Sequence, residues 1–219
     1  PQPDDTVPRF DYEAHIGALS GQPPSWPDST RAVSELRVSL RVKPNGLLAG
    51  LQGPRTIHLD IIDYPGEWLL DLGLLDQTYD DWSAATLARL DSRPIGAAYA
   101  SAVSITDGAA TLDEVQAKAL AASFTDYLHA ARGAGFYDCT PGRFLLPGEL
   151  AGSPVLTFAP LPAGDAPRRS LRREMARRFE AYKTRVVRPF FRDHYARLAR
   201  QVQLVDTQGA IRTDPAAEA

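Results

Sequence analysis

The sequence has little of several features that would place it in other classes of protein. Its 219 residues include one cysteine, Cys139, so no disulfide can form within the chain, which suits a reducing compartment. No apolar run reaches the roughly twenty residues of a membrane span, and no signal-peptide pattern opens the sequence. A formal net charge of −3 gives no basic field for nucleic acid. We therefore expect a cytoplasmic protein that recognises no specific nucleic acid.

The most informative stretch that is present is IHLDIIDYPGEW at residues 57–68. Its apolar first half, closed by Pro65 and Gly66, is typical of a buried strand that leads into a tight turn. Asp63 ends the strand, and open α/β sheets bind ligands at the carboxyl ends of their strands. Nucleoside triphosphatases use D-x-x-G there to place a carboxylate near Mg²⁺ and a backbone N–H near the γ-phosphate. The same pattern also occurs as simple turn chemistry, so both interpretations stay open at this point.

The segment DYPGEWLLDL at residues 63–72 resembles the signature of the YcjX-like family of bacterial stress-associated P-loop NTPases. Further blocks match that family in the same order along the chain. They are PRF at 8–10 with PSWP at 24–27 through VSELR at 33–37, PGRFLLPG at 141–148, and HYARL at 194–198 through QLVD at 203–206. The resemblance covers nearly the whole chain. It implies a Ras-like G domain with a large helical insertion, and a link to stress through the phage-shock regulon.

The chain departs from that family in one important respect. It contains no G-x-x-x-x-G-K-[ST], which would supply the phosphate cradle and its lysine, and no N/T-K-x-D base-reading motif. The family carries the first motif before the part matched here and the second after it. We therefore interpret the chain as the middle of a longer protein. Alone, it should bind nucleotide weakly or not at all and be inactive.

The resemblance predicts an α/β fold that is a partial Ras-like P-loop G domain, comprising its second to fourth strands, with a mainly helical insertion. Residues 1–66 and 200–219 would form the nucleotide-binding part, and residues 67–199 would hold switch II and the insertion. Hydrophobic periodicity predicts strands near 35–43, 57–63 and 202–206 and helices near 69–90, 112–131 and 168–199. The Pro- and Gly-rich stretch 133–167 offers only 144–146 and 155–158 as possible short strands.

The resemblance also assigns roles in a Mg²⁺-dependent hydrolysis of GTP or ATP. Asp63 would hold Mg²⁺ through water, and the Gly66 N–H would contact the γ-phosphate. Thr30 would complete the metal shell from switch I, with Ser29 and Ser34 as alternatives. Glu67 would act catalytically by orienting the attacking water. The plainer alternatives are a capping hydroxyl for Thr30 and, for Glu67, a first-turn glutamate favoured by the helix dipole.

A second D-x-x-G, from Asp206 to Gly209, rivals the first. We rank it lower because the strand before it is shorter and more polar, and because the resemblance puts it on the fourth strand, after the insertion. The helical spacing after Trp68 predicts that Asp71 and Asp76 point outward.

Residues 168–200 suggest a different class of function. Arginines crowd this predicted helix, and such a run is usually a solvated face. The alternative function is therefore a non-enzymatic helical interaction module whose arginine-rich helix contacts a protein or a membrane surface, with peripheral contact at the inner membrane. Cys139 is expected to be a packing residue, and His129 a surface histidine.

Overall fold

The computed structural model describes residues 5–27, 30–43, 54–193, 196, 198–200 and 202. These residues form an α/β protein with a two-stranded antiparallel sheet and several helices. They fall into two compact units, Pro1–Gly66 and Glu67–Ala219. The predicted strand 202–206 and the rival aspartate Asp206 lie outside the described residues, apart from Val202.

The first unit is a short helix followed by a long hairpin. Helix α1, Tyr12–Ser20, begins after Asp11, whose carboxylate accepts a hydrogen bond from the Ala14 N–H at 3.0 Å and so caps the helix. Strand β1, Ser34–Val42, pairs antiparallel with β2, Arg55–Asp63. The predicted pair of strands at 35–43 and 57–63 is therefore confirmed, within a residue or two at each end.

The prediction that strand 57–63 is buried is wrong. Ile57, Leu59 and Ile61 are 51%, 51% and 44% exposed. The reason lies in the sequence itself, since polar His58 and Asp60 stand at every second position, which is the period of a strand with one polar face.

The two faces of the hairpin differ in chemistry. The register pairs Leu40 with Ile57 and Val38 with Leu59, so that apolar side chains from both strands form one continuous apolar face. On the other face, Ser39 Oγ lies 2.9 Å from His58 Nδ1. Beside that pair, the Arg37 guanidinium donates two hydrogen bonds to a single carboxylate, at 2.6 and 2.7 Å.

The second unit is helical. Its helices are α2 Glu67–Leu70, α3 Tyr79–Asp91, α4 Ala97–Ser104, α5 Glu114–Gly133, α6 Gly142–Leu145, α7 Leu171–Tyr182 and α8 Arg188–Asp193. Short 3₁₀ turns occur at Asp71–Leu74, Pro94–Gly96, Gly148–Leu150 and Pro154–Leu156. The helix predicted near 112–131 is confirmed as α5. Within the described residues, no helix combines the length and apolar character needed to cross a membrane.

Two predicted helices are interrupted. The one near 69–90 stops after α2 and restarts at α3, because Thr78 and Asp81 form a capping box that begins a new helix. The one near 168–199 passes from α7 through a π-helical turn, Lys183–Val187, into α8. That wider turn precedes Pro189, whose ring would clash with the carbonyl four residues back in a regular α-helix.

The core of the second unit is aromatic. Trp82 of α3 stacks on Phe179 of α7 with ring centroids 4.9 Å apart, and it meets Phe124 of α5 and Phe158 edge-on at 5.8 and 5.6 Å. All four side chains are at most 1% exposed. Offset and edge-to-face aromatic pairs of this kind add stability beyond the buried area.

The prediction of short strands at 144–146 and 155–158 is wrong, because Phe144 and Leu145 belong to α6 and Pro154–Leu156 forms a 3₁₀ turn. The segment that follows, around Phe158, runs through this core without regular structure. Buried backbone carbonyls need hydrogen-bond donors. Here side chains supply them: Tyr79 OH donates to Ala159 O at 2.9 Å and Tyr99 OH donates to Pro160 O at 2.6 Å. Ser83 Oγ donates to the Leu161 carbonyl at 2.6 Å. Side-chain hydroxyls thus replace the pairing that a sheet would have provided.

The expectation that the arginine run of 168–200 is a solvated face is also wrong in part. Arg172 and Arg178 are buried, at 7% and 6% exposure. Arg172 donates to Asp80 at 2.6 Å, and Arg178 donates to Glu114 at 2.6 Å. These two arginines connect α7 to α3 and α5, so part of the cationic run is structural.

Candidate functional site

The clearest candidate site lies at the carboxyl end of β2. Asp63 is the last residue of that strand, and the register places it opposite Ser34, the first residue of β1. The loop that enters β1 therefore ends beside Asp63. From this loop the Thr30 hydroxyl donates a hydrogen bond to Asp63 Oδ2 at 2.7 Å, and both side chains are half-buried. Two of the predicted metal-site residues are thus brought together, although they are 33 positions apart in sequence.

This pair of oxygens suits an open Mg²⁺ site, which water and phosphate would complete, and does not suit a closed site made only of protein ligands. Mg²⁺ takes hard oxygen ligands, keeps several waters and is often held by one or two protein oxygens together with substrate phosphates. Asp63 and Thr30 present a carboxylate and a hydroxyl at one place, which matches that donor set. Across the described residues, no group of three or more His, Cys, Asp or Glu side chains could hold a metal ion.

The chain continues from Asp63 to Gly66 and Glu67. Gly66 is exposed, and a Cβ added to it would contact nothing within 4 Å. Glu67 follows as the first residue of α2 and of the second unit. Its carboxylate accepts a hydrogen bond from Arg132 Nη2 at 3.3 Å and is 19% exposed. A half-buried carboxylate with one cationic partner keeps other lone pairs available for a water.

The segment after Glu67 is built into the helical unit. The Trp68 indole N–H donates to Leu146 O at 2.9 Å, and the Arg143 guanidinium lies 3.2 Å from the Trp68 ring centroid. Gly142 packs against the Glu67 backbone so closely that an added Cβ would overlap the Glu67 carbonyl oxygen. The first turn after the D-x-x-G is therefore fixed by α6 and the residues that follow it.

Asp71 is not the outward residue that helical spacing predicted. It is 2% exposed and accepts hydrogen bonds from the Gly142 N–H at 2.7 Å, the Arg143 N–H at 3.3 Å and Tyr182 OH at 2.5 Å. Burial raises the pKa of this carboxyl to about 6, and the three donors and the Arg143 charge oppose that rise. One signal was available in the sequence, because Asp71 stands three residues after buried Trp68 on the same helical face.

Cys139 was expected to be a packing residue and His129 a surface histidine, and the structure confirms both predictions. Cys139 is buried, and burial raises the pKa of its thiol to about 11, which leaves it protonated and unreactive. His129 is exposed on α5.

The second unit also has a cavity whose lining includes three arginines. A cavity of about 540 Å³ lies at the start of α7, and it is lined by Thr111, Leu112, Arg169, Ser170, Arg173, Glu174 and Arg177. Glu174 is shared by Arg177 and Arg178, at 2.7 and 2.8 Å. The Arg169 and Arg173 side chains are exposed and have no partner among the described residues.

The comparisons with known proteins identify the family of the chain. The model of the YcjX-like family, DUF463, matches residues 1–218. The chain belongs to the YcjX-like family. A relative within it, the Ras-like GTPase YcjX of Shewanella oneidensis, is 39% identical over 224 residues, which cover 96% of this chain and 46% of the relative. The Ras-like GTPase YcjX of Escherichia coli is 38% identical over 229 residues, covering 99% of this chain and 49% of the relative. The chain thus spans about half the length of the curated relatives it matches.

Proposed function

We propose that the intact protein hydrolyses the β–γ bond of GTP, or of ATP as the alternative, with Mg²⁺, and that it acts in a bacterial stress response. The observation that carries this proposal is the hydrogen bond between Thr30 and Asp63 at the end of β2. A loop threonine beside a strand-end aspartate is the arrangement expected of a switch I residue next to a D-x-x-G. Two relatives named Ras-like GTPase add support and favour GTP over ATP.

Each residue would have a distinct role. Asp63 would hold the metal through water, and Thr30 would add its hydroxyl once the hydrogen bond between them opens. The Gly66 N–H would donate to the γ-phosphate, and the Glu67 carboxylate would accept a proton from the attacking water or orient it. The metal supplies charge stabilisation for the phosphate oxygens when it is bound.

The described sheet fits an incomplete G domain. A two-stranded hairpin is marginally stable by itself and needs further strands or helices on its apolar face. In the part of the chain that the structure describes, that face is about half exposed, with Leu59 at 51%, and the relatives are about twice as long. We propose that residues 1–66 and 200–219 belong to the nucleotide-binding part and that residues 67–199 hold switch II and the helical insertion. The P-loop and the base-reading motif would come from residues outside these 219.

The decisive experiment compares two aspartates of β2 in the intact protein. Asp63→Ala should abolish Mg²⁺-dependent hydrolysis, because metal-assisted charge stabilisation is worth about several kcal/mol. Asp60→Ala is the matched control, since Asp60 is on the polar face and pairs with Arg37 in an exposed ion pair. The Asp60→Ala substitution should leave the rate of hydrolysis unchanged. Turnover by Asp63→Ala at the rate of the unmodified protein would reject the proposed site.

The second candidate function is contact with an anionic partner through the start of α7. The specific observation is the cationic cavity, where Arg169 and Arg173 have no side-chain partner in the part of the chain that the structure describes. The partner would be an acidic protein surface or the anionic lipid of the inner membrane. The double substitution Arg169→Glu and Arg173→Glu should weaken binding of the intact protein to vesicles rich in anionic lipid. Unchanged binding would remove the membrane from consideration.

A further inference from the structure

Glu67 is held by two residues that the sequence patterns do not mark, one on its side chain and one on its backbone. We infer that Arg132 and Gly142 are positioning residues that fix Glu67 for its work beside the γ-phosphate. The inference rests on the proposed function, because it assigns how one residue of that site is oriented. It concerns contacts that all lie within the second unit.

The side-chain contact comes from the end of α5. Arg132 stands in the last turn of that helix, and its Nη2 donates to Glu67 Oε1 at 3.3 Å. The guanidinium also lies 5.0 Å from the Tyr137 ring centroid, in cation–π contact. An arginine held between an aromatic ring and a carboxylate has few other orientations. The carboxylate oxygen it binds is correspondingly fixed.

The backbone contact comes from the start of α6. A Cβ on Gly142 would overlap the Glu67 carbonyl oxygen and lie 3.2 Å from Glu67 Cβ, so only glycine permits this approach. Gly142 is held in turn, because its N–H donates to Asp71 Oδ1 at 2.7 Å. The residue after the D-x-x-G therefore rests on a backbone surface fixed by a buried carboxylate.

These contacts matter because orienting a water demands accuracy. A displacement of about 1 Å at a catalytic group can reduce a rate roughly 100-fold. Glu67 starts a helix of only four residues, which cannot hold its own first residue rigidly. The rigidity has to come from outside α2, and Arg132 and Gly142 are where the structure provides it.

The first test uses Arg132 variants of the intact protein. Arg132→Gln should lower kcat for GTP hydrolysis about tenfold with little change in KM, because orientation of the bound state is affected rather than binding. Arg132→Lys should restore part of the loss, since it keeps the charge. Lys118→Gln, an exposed cation on the same helix α5, is the matched control and should leave kcat and KM unchanged.

A double-mutant cycle separates positioning from simple structural support. In the Glu67→Ala background, Arg132→Gln should lower kcat by less than about twofold, because its effect runs through the missing carboxylate. If the losses of kcat caused by Glu67→Ala and Arg132→Gln multiply in the double variant, the inference is wrong. So would a kcat for Arg132→Gln equal to that of the unmodified protein.

The backbone contact has its own variant. Gly142→Ala should reduce kcat up to about 100-fold by displacing Glu67, with nucleotide affinity retained. Gly164→Ala is the matched control, because an added Cβ there contacts nothing within 4 Å. Full activity of a folded Gly142→Ala protein would overturn the assignment of Gly142, and the Arg132 variants decide the rest if Gly142→Ala does not fold.

Different results would contradict the proposed function and the positioning role of Arg132. If Asp63→Ala keeps full hydrolysis, the proposed function is wrong, whatever the Arg132 variants do. If Asp63→Ala is inactive and Arg132→Gln is fully active, the proposed function stands and this inference alone is wrong.

Discussion

The two compact units of this chain differ in how far their apolar side chains are buried. Among the described residues, every buried core side chain lies in the helical unit, from Trp68 onward. In the hairpin unit, Leu40, Ile57 and Leu59 are about half exposed. Within the described residues, one unit therefore holds a finished core, whereas the apolar face of the other has no covering layer. An apolar face is stabilised when it is covered, so we expect the hairpin, but not the helical unit, to need further packing.

The largest expected effect tests the finished core. Leu171→Ala removes a fully buried side chain of α7, at 0% exposure, and should lower the free energy of unfolding by about 2–5 kcal/mol through lost burial and the cavity left behind. Urea denaturation of the 219-residue chain, followed by helical circular dichroism, measures the change. A loss below about 1 kcal/mol would mean that the core at this position can collapse around the cavity.

The next prediction uses the charge buried in that core. The pKa of Asp71 is raised from 3.8 to about 6, so the folded state binds this proton more tightly than the unfolded state. Its stabilising contribution is complete below about pH 4 and is lost as the pH rises through about 6. Relative to Asp71→Asn, the unmodified protein should lose roughly 2 kcal/mol of stability between pH 4 and pH 7.

The measurement is urea denaturation of both proteins across that range. Acids whose pKa is lowered, such as Glu174, act in the opposite direction but cancel in the difference between the two proteins. Parallel stability curves would show that Asp71 does not titrate in this window.

A smaller effect tests the hydroxyls that serve the buried irregular segment. Tyr79→Phe removes the donor to Ala159 O and the acceptor of the Leu161 N–H, leaving two buried backbone groups unpaired. The expected loss is about 1–3 kcal/mol. Tyr137→Phe, on a side chain that is 44% exposed, is the control and should change stability by about 0.5 kcal/mol or less. Equal losses in the two variants would contradict the structural role of Tyr79.

The smallest expected effect is in the hairpin unit. Leu59→Ala in the 219-residue chain should cost less than about 1 kcal/mol, because half of the side chain already faces solvent. The same substitution in the intact protein should cost about 2–5 kcal/mol if further residues cover the face. An equally small effect in both proteins would show that this face stays open and would weaken the proposal of an incomplete G domain.

The sequence predicted those features whose pattern is local. Alternation identified β1, and helical spacing identified α5, within about two residues at their ends. The pairing of Thr30 with Asp63 followed from the resemblance to a switch I loop rather than from the residues alone. The Ras-like arrangement, the domain limits and the roles of Thr30, Asp63, Gly66 and Glu67 in nucleotide hydrolysis remain predictions.

Features with distant partners escaped sequence analysis. The burial of Asp71 depends on its hydrogen bonds with Gly142 and Tyr182, which are 71 and 111 positions away. Burial of Arg172 depends on Asp80, 92 positions before it. A periodicity window of eleven to eighteen residues contains none of these partners, so it registers a charged residue as solvent-facing.

The irregular segment that passes through the aromatic core has a consequence for how the chain folds. Its carbonyls are bound by hydroxyls 80, 78 and 61 positions earlier in the sequence, at Tyr79, Ser83 and Tyr99. Closing loops of that size costs chain entropy before the contacts return any stability, and proteins rich in distant contacts fold slowly for that reason. The helices α3, α4 and α5 leave a ribosome before the segment that fills the space between them. The helical unit should therefore acquire its native packing late and all at once, only after the chain has been synthesised beyond α7.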